Sequence, residues 1–395
     1  MDRQYWVWLS LALGAGYHRT PDILHHYPNP LDLYEQVLAA ERAFGPLNQT
    51  EFLKLKTCPL DKARAVLQEC ARLGIQVVTM RDRLYPQRLL EIDLPPLALY
   101  VKGDISPLNH CLAITMVGTR RLTNYGYNVA RRISYELAGN RVVVVSGMAV
   151  GGDAVCHAGA LQAGGQTVAV LGCGIDVDYP KDNRELHRQI EQLGGLISEY
   201  PPGTTPVSGN FPVRNRILSG VSNGVLVVEC GERSGCLSTA GCALNQGRDL
   251  FAVPSSVLGD GIGGTFLLLR DGAVPVRSAA DVLAHYHVHA AEVRLEPETV
   301  LQERTAARRP AAPKQPPAAP AEADPHPAAP PNEAALAELS DKARELYQLL
   351  GDAPQSPEAL QQQIGGSIAG VLALLTELEL ADLVRARQGR RYQRV

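Results

Sequence analysis

The chain has 395 residues, a net charge of −3, and ordinary fractions of hydrophobic (45%) and charged (20%) residues. These values predict a soluble globular protein of two or three domains, and any nucleic-acid binder of this charge must gather its basic groups in one groove. No apolar stretch is long enough to span a membrane and the N-terminus lacks the pattern of a secretory leader, so we expect a cytoplasmic protein with no membrane partner.

The first 75 residues carry apolar side chains at helix-like spacing, which predicts a compact helical domain over 1–75. From residue 76 onward, short apolar runs alternate with amphipathic helical stretches. We predict strands at Gln76–Thr79, Ala98–Val101, Ala113–Val117, Val142–Val145, Val168–Leu171, Leu196–Ser198, Val225–Val228, Leu250–Val253 and near Val274. Buried strands separated by helices predict a doubly wound, mainly parallel, Rossmann-like α/β domain over 76–290, with its ligand at the carboxyl ends of the strands.

The last hundred residues change character twice. Pro310–Pro331 contains nine prolines, so we predict a Pro/Ala-rich linker over 291–332. Helices are then predicted over Glu333–Leu350, from Ser356, and over Ile368–Leu378, followed by two strands around residues 388–390. Three helices and a hairpin predict a winged helix over 333–395, whose five C-terminal arginines suggest contact with duplex DNA or with a partner.

Three glycine-rich turns follow strands and precede helices in the central domain. They offer the backbone groups of Gly118, Thr119, Ser146, Gly147, Gly172 and Gly174. Such turns bind anions through free N–H groups and the helix dipole, although tight strand-to-helix turns need glycine whatever the ligand. Three of them at one sheet edge favour a phosphate-bearing ligand.

The common nucleotide and catalytic motifs do not fit this chain. A phosphate loop of the form G-x-x-x-x-G-K-[ST] is missing, and the single G-x-G-x-x-G, at 259–264, follows a late strand and not the first. Ser222 lies in a nucleophile-elbow pattern, but its strand follows the serine and does not precede it. Asp153 and His157 are spaced as an acid–base pair without an identifiable nucleophile. The eight cysteines form no C-x-x-C pair, and we predict no catalytic residue, metal site or cofactor.

Basic and aromatic residues, with two asparagines beside them, fall on the same predicted edge as the glycine turns. They are Arg120, Arg121, Lys181, Arg184, Asn210, Phe211, Arg214, Asn215 and Arg216. A ring for base stacking with cations for the backbone is typical of single-stranded nucleic-acid binding. Some of these arginines should instead form internal ion pairs with Glu199, Glu229 or Asp153, and Arg216 is the first candidate. Ser234 and Gly235 are predicted to cap a helix, with a phosphate contact as the alternative.

As a set, these motifs resemble the DNA-processing protein A (DprA/Smf) family across nearly the whole chain. The resemblance is carried by Val117–Arg120, Val145–Ala149, Ala169–Gly174, Tyr179–Pro180, Phe211–Ile217, and Glu229 with Ser234–Gly235. One departure is Gly152, which stands where the family usually has an apolar residue.

The resemblance implies a small helical, SAM-like N-terminal domain, a Rossmann-like domain and a winged helix. It further implies a non-enzymatic protein that binds single-stranded DNA with little sequence preference, loads a RecA-type recombinase, helps displace single-strand-binding protein, protects incoming DNA in natural transformation, and forms dimers through the Rossmann-like domain. The alternative is a nucleotide-binding enzyme that hydrolyses the glycosidic bond of nucleoside monophosphates, although the P-G-G-x-G-T turn of such enzymes is missing from this sequence.

Overall fold

The computed structural model describes most of the chain: residues 3–255, 263–288, 340–350, 355–365, 370–371, 374–375, 377–378, 383–387 and 391–394. The predicted linker, the first part of the G-x-G-x-x-G motif and the predicted turn at 388–390 lie outside these residues. Two compact units are present, Met1–Ala306 and Ala307–Val395. Within the described residues, no helix is both long and apolar enough to cross a membrane.

The first unit opens with five helices, as the apolar spacing predicts. They are α1 (Arg3–Leu13), α2 (Thr20–His26), α3 (Pro30–Ala39), α4 (Gln49–Thr57) and α5 (Leu60–Arg72). Asn48 begins α4 with a capping box, in which its side chain accepts from the Glu51 N–H and the Glu51 carboxylate accepts from the Asn48 N–H. The Trp8 ring is fully buried, and its indole N–H donates to the Cys58 carbonyl at 2.9 Å. These helices share one core with the sheet that follows.

A nine-stranded sheet is the centre of the described part of this unit. Its strands are β1 (Gln76–Thr79), β2 (Ala98–Gly103), β3 (Ala113–Val117), β4 (Val143–Ser146), β5 (Thr167–Leu171), β6 (Gly195–Ser198), β7 (Gly224–Val227), β8 (Asp249–Ala252) and β9 (Val274–Pro275). They lie in the order β1-β2-β6-β5-β4-β3-β7-β8-β9. Strands β3 to β9 are parallel to one another, while β1 and β2 form an antiparallel edge beside β6. The predicted mainly parallel sheet is confirmed.

Helices cover both faces of the sheet, because successive strand residues point to opposite sides. They are α6 (Asn124–Gly139), α7 (Gly152–Gln162), α8 (Arg184–Leu193), α9 (Asn210–Gly220), α10 (Gly235–Asn245), α11 (Gly263–Arg270) and α12 (Ala279–His285). Val145 packs toward α9 and α10, whereas its neighbour Val144 packs toward α6 and α7. The N-terminal helices and α8 extend this second layer. The result is the predicted doubly wound arrangement.

The second unit has its own small core. Helices α13 (Asp341–Leu349) and α14 (Pro357–Ile364) and the antiparallel pair β10 (Val384–Arg387) and β11 (Arg391–Arg394) are described. Leu346, Leu360 and Leu375 are fully buried together. Arg394 donates to the carbonyls of Tyr347 and Gln348 and lies over the Tyr347 ring, 4.5 Å from its centroid. This arginine therefore caps α13, and the suggested ligand contact of the C-terminal arginines does not extend to it.

Candidate nucleic-acid interface

The β3 and β4 turns interlock at the carboxyl edge of the sheet. Gly151 has φ +82°, and a Cβ there would meet the Thr119 and Arg120 carbonyls at 2.6 Å. The Gly152 N–H donates to the Thr119 carbonyl at 3.0 Å, and a Cβ at 152 would collide with Gly118. Any side chain at 152 would separate the two turns, so this departure from the family pattern belongs to a close backbone contact.

Several predicted phosphate-binding groups are already engaged inside the protein. The Thr119 N–H donates to the Glu229 carbonyl at 2.7 Å, and the Gly174 N–H donates to the Thr204 carbonyl at 2.9 Å. Ser146 is fully buried, and its hydroxyl donates to the Met116 carbonyl at 2.7 Å. Ser146 and Gly174 are therefore parts of the scaffold and do not line the surface, contrary to the expectation that all three turns present free donors.

The Asn183 side chain, which the sequence did not indicate as part of the site, stabilises the turn after β4. Met148 adopts φ +63°, an uncommon backbone state for a non-glycine residue. The Asn183 amide donates to the Met148 carbonyl at 2.8 Å and to the Ala149 carbonyl at 3.2 Å. Asn183 ends the short 3₁₀ turn that starts at Lys181, so this bond connects the Lys181 turn to the glycine turn. In the sequence, a single asparagine before a helix such as Asn183 indicates helix capping only.

An aromatic recess lies between the β4 and β5 turns. The Phe211 ring is half-buried and rests on Gly172, where a Cβ would meet the ring at 2.9 Å. The Tyr179 ring lies 5.7 Å from it, between centroids, and is 37% exposed. Asn210 anchors the start of α9, because its amide donates to the Gly172 carbonyl at 3.1 Å. We call this the stacking recess; its lining includes Arg120, Gly147, Met148, Gly172, Tyr179 and Phe211.

Arg214 lies beneath this recess and not on its surface. The side chain is 4% exposed, and its guanidinium donates to the carbonyls of Gly147 and Val170 and to the Asn215 side chain. Burial lowers the pKa of Arg214 and raises that of Asp153, and each charge opposes the other's shift. The guanidinium carbon lies 5.7 Å from the centre of the Phe211 ring. The structure therefore gives Arg214 a supporting position in place of the expected direct DNA contact.

Arg216 forms the internal ion pair that the sequence predicts. Its guanidinium donates to a Glu199 carboxylate oxygen at 2.7 Å, with 10% and 4% of the two side chains exposed. It also donates to the Leu94 and Val213 carbonyls, both at 2.9 Å. The Glu199 bond holds α9 against the end of β6, the Leu94 bond ties it to the segment before β2, and the Val213 bond lies within α9. Arg216 therefore belongs to the scaffold.

The exposed cations at this edge separate into paired and unpaired groups. Arg184 donates to Asp178 at 2.8 Å, which partly neutralises its charge. Arg120, Arg121 and Lys181 are exposed, and their side chains make no hydrogen bond or ion pair with any residue that the structure describes. Unpaired cations around a half-exposed ring leave positive charge available to a ligand.

A second recess adjoins the first, between the β3 turn and the start of α10. Its lining includes Thr119, Arg120, Phe211, Asn215, Ser234 and Thr239. Ser234 caps α10 as predicted, since its hydroxyl accepts from the Cys236 N–H at 3.3 Å. Gly235 follows at the exposed first turn. We call this the crossover recess, because β4 lies on one side of β3 and β7 on the other.

The residues that the sequence offered as catalytic or nucleotide-binding candidates have structural roles. His157 is buried, its Nδ1 lies 2.7 Å from the Thr167 hydroxyl, and burial with the nearby Arg214 charge lowers its pKa to about 3. It is therefore a neutral core histidine. Ser222 is also buried and bonds to Thr115 at 2.7 Å, which excludes the nucleophile elbow. Asp281 completes the capping box of α12. Among the described residues, no cluster of three or more His, Cys, Asp or Glu side chains is placed to hold a metal ion.

Fold and site together define a Rossmann-like α/β protein whose carboxyl edge combines glycine turns, two neighbouring aromatic rings and cations without a partner among the described residues. Comparison with known proteins narrows this class. The sequence model of the family described as DNA recombination-mediator protein A matches residues 76–287, and that of the DprA winged helix domain matches residues 327–390. The first match covers more than half of the chain, which therefore belongs to the DNA recombination-mediator protein A (DprA/Smf) family.

The chain is also similar to individual proteins. DNA processing protein DprA of Bacillus subtilis (strain 168) is 40% identical over 221 residues, which cover 56% of this chain and 74% of that protein. The X-ray structure of DNA processing protein A from Streptococcus pneumoniae is 33% identical, has a TM-score of 0.62, and covers 72% of this chain and 98% of that one. DNA processing protein A from Helicobacter pylori, for which a single-stranded DNA binding mode is described, is 30% identical over 54% of this chain and 98% of that one, with a TM-score of 0.49.

Proposed function

We propose that this protein binds single-stranded DNA along the carboxyl edge of its sheet. The observation that carries the proposal is the stacking recess: a half-buried Phe211 ring on Gly172, with the unpaired Arg120 at its rim. A ring offers its face to any base, and a cation follows the phosphate backbone whatever the sequence. Both contacts are insensitive to base identity, so the proposed binding has little sequence preference.

Lys181 extends the proposed path beyond the recess. It starts the short turn that follows Pro180, a residue of the recess wall, and its side chain is exposed. Because Asn183 fixes that turn to the Met148 and Ala149 carbonyls, the cation is attached to the same scaffold as the ring. We propose that Arg120 and Lys181 contact the phosphates next to a base that stacks on Phe211.

The proposed cellular role rests on this binding and on the family. We propose that the protein acts in the cytoplasm as a recombination mediator, without catalysis or a cofactor. Its proposed work is to load a RecA-type recombinase onto the bound strand, to help displace single-strand-binding protein, and to protect DNA entering during natural transformation. The family description as a recombination mediator supports this role. We further propose a homodimer through the Rossmann-like domain and a duplex or partner contact through the winged helix.

The test is to remove the two unpaired cations together. Arg120→Ala with Lys181→Ala should weaken binding to an oligo(dT) strand and reduce the slope of log K against log salt by roughly 1.4, at about 0.7 for each lost phosphate contact on single strands. Fluorescence anisotropy at several salt concentrations measures both quantities. Arg184→Ala is the matched control, because Arg184 is exposed nearby but paired with Asp178.

The control should leave the salt slope close to that of the wild type. If the double variant keeps the wild-type affinity and slope, the carboxyl edge is not the main strand-binding surface. A duplex competitor in the same assay should displace the strand less well than a single-stranded one, since a stacking ring needs an unpaired base.

A further inference from the structure

The crossover recess has the position expected of a ligand site in an open α/β sheet. Chain connections from β3 run to β4 on one side, whereas β7, on the other side, is reached only after β6 and α9. Two neighbouring strands whose connections leave in opposite directions open a crevice at their carboxyl ends, where such folds bind ligands. In this protein the crevice is bounded by the Gly118–Thr119 turn, α9 and the start of α10.

Two largely buried side chains line this recess with a polar donor that bonds to no residue the structure describes. Thr239 is 2% exposed, and its hydroxyl forms no hydrogen bond with any described residue. Asn215 is 9% exposed; its side-chain oxygen accepts from Arg214 at 3.4 Å, but its amide nitrogen bonds to no described residue. Neither atom is sealed from solvent, so both donors remain open to a ligand in the recess that accepts hydrogen bonds.

The remaining wall of the recess also offers donors. Gly235 begins α10, its N–H forms no bond within the described residues, and a Cβ there would meet open space, so a ligand atom has room to approach. The helix dipole adds positive potential at this end. Arg120 contributes an unpaired guanidinium at the mouth. The one carboxylate in the lining, Asp153, accepts from the Ala149 N–H and faces the buried Arg214 charge, which offsets it.

We propose that the crossover recess binds a phosphate monoester, the 5′-phosphate of a nucleotide. Hydroxyl, amide, backbone N–H and guanidinium donors converge there, as a dianion with three terminal oxygens requires. The recess is walled by a turn and two helices, so a chain would leave it in one direction, and its mouth shares Arg120 and Phe211 with the stacking recess. A nucleotide held there has its phosphate in the crossover recess and its base toward Phe211. Unlike the proposed strand binding, this needs no polymer.

Isothermal titration of the full chain tests the proposal with a matched pair of ligands. Thymidine 5′-monophosphate should bind at least about tenfold more tightly than thymidine, the size expected of hydrogen bonds to a charged group. Thr239→Val keeps the side-chain shape. It should lower the preference for thymidine 5′-monophosphate over thymidine by about tenfold. Ser238→Ala, at an exposed position of the same helix, is the control and should keep it.

Oligo(dT) strands with a 5′-phosphate or a 5′-hydroxyl identify the source of the monoester. Tighter binding of both the mononucleotide and the phosphorylated strand supports a general 5′-phosphate site, whereas a gain for the strand alone would contradict the proposed binding of a free nucleotide and restrict the site to DNA ends. Equal binding with and without phosphate in both pairs overturns the proposal, and needs no variant. Failure of the strand-binding proposal would appear separately, as weak binding of the 5′-hydroxyl strand that does not depend on Arg120 or Lys181.

Discussion

Gly172 sets the position of the aromatic ring on which the proposed binding depends. Because a Cβ at this position would meet the Phe211 ring at 2.9 Å, Gly172→Ala should displace the ring and weaken strand binding while the fold remains intact. Gly209→Ala is the control for the glycine variant, since a Cβ there meets nothing within 4 Å.

Phe211→Ala removes the ring itself and should cost roughly 1–3 kcal/mol of binding free energy if the ring stacks on a base. Anisotropy with oligo(dT) measures all three variants. Wild-type affinity for Phe211→Ala would make this ring a core residue.

At this scale, sequence reasoning located the edge but not the orientation of each side chain. Strand-helix alternation placed Phe211, Arg214 and Arg216 near the carboxyl ends, and the structure brings them there. Which of them faces solvent depends on how α9 is rotated against β5, and the short segment contains both apolar and charged residues on several sides. The burial of Arg214 could not be predicted for this reason. The apolar residues after Arg216, in contrast, correctly indicated that Arg216 points inward.

A buried ion pair joins Arg216 of helix α9 to Glu199 at the end of β6, and this pair predicts a stability effect. Arg216→Met leaves Glu199 buried without its partner and should lower the free energy of unfolding by about 3–5 kcal/mol. Adding Glu199→Gln should recover part of this loss, because it removes the buried charge. Urea denaturation of the two single variants and the double variant measures the coupling. Arg184→Ala, at an exposed pair, should change stability by less than about 1 kcal/mol.

The same experiment separates scaffold from ligand contact. If Arg216→Met were to unfold at the wild-type urea concentration yet lose strand binding, Arg216 would be a DNA contact and the assignment to the scaffold would be wrong.

Element positions were the most predictable part of this fold, because β3 and its neighbours are mostly apolar runs that end in glycine turns. The hydrogen bonds between turns, such as Asn183 to Met148, were not predictable, since they join residues 35 positions apart.

The whole chain divides into a unit that carries the edge site and a second unit with a separate core. Every residue proposed to touch the strand lies within Met1–Ala306. Deleting residues 332–395 should therefore leave the affinity for single-stranded oligo(dT) and its salt slope unchanged, because no phosphate contact is removed. The same deletion should reduce binding to a duplex of equal length if the winged helix supplies that contact.

Anisotropy with both probes measures the change, and Arg120→Ala in the shortened chain is the control that must still weaken strand binding. Loss of single-strand binding on deletion, with the remaining unit still folded by circular dichroism, would move the main site to the winged helix.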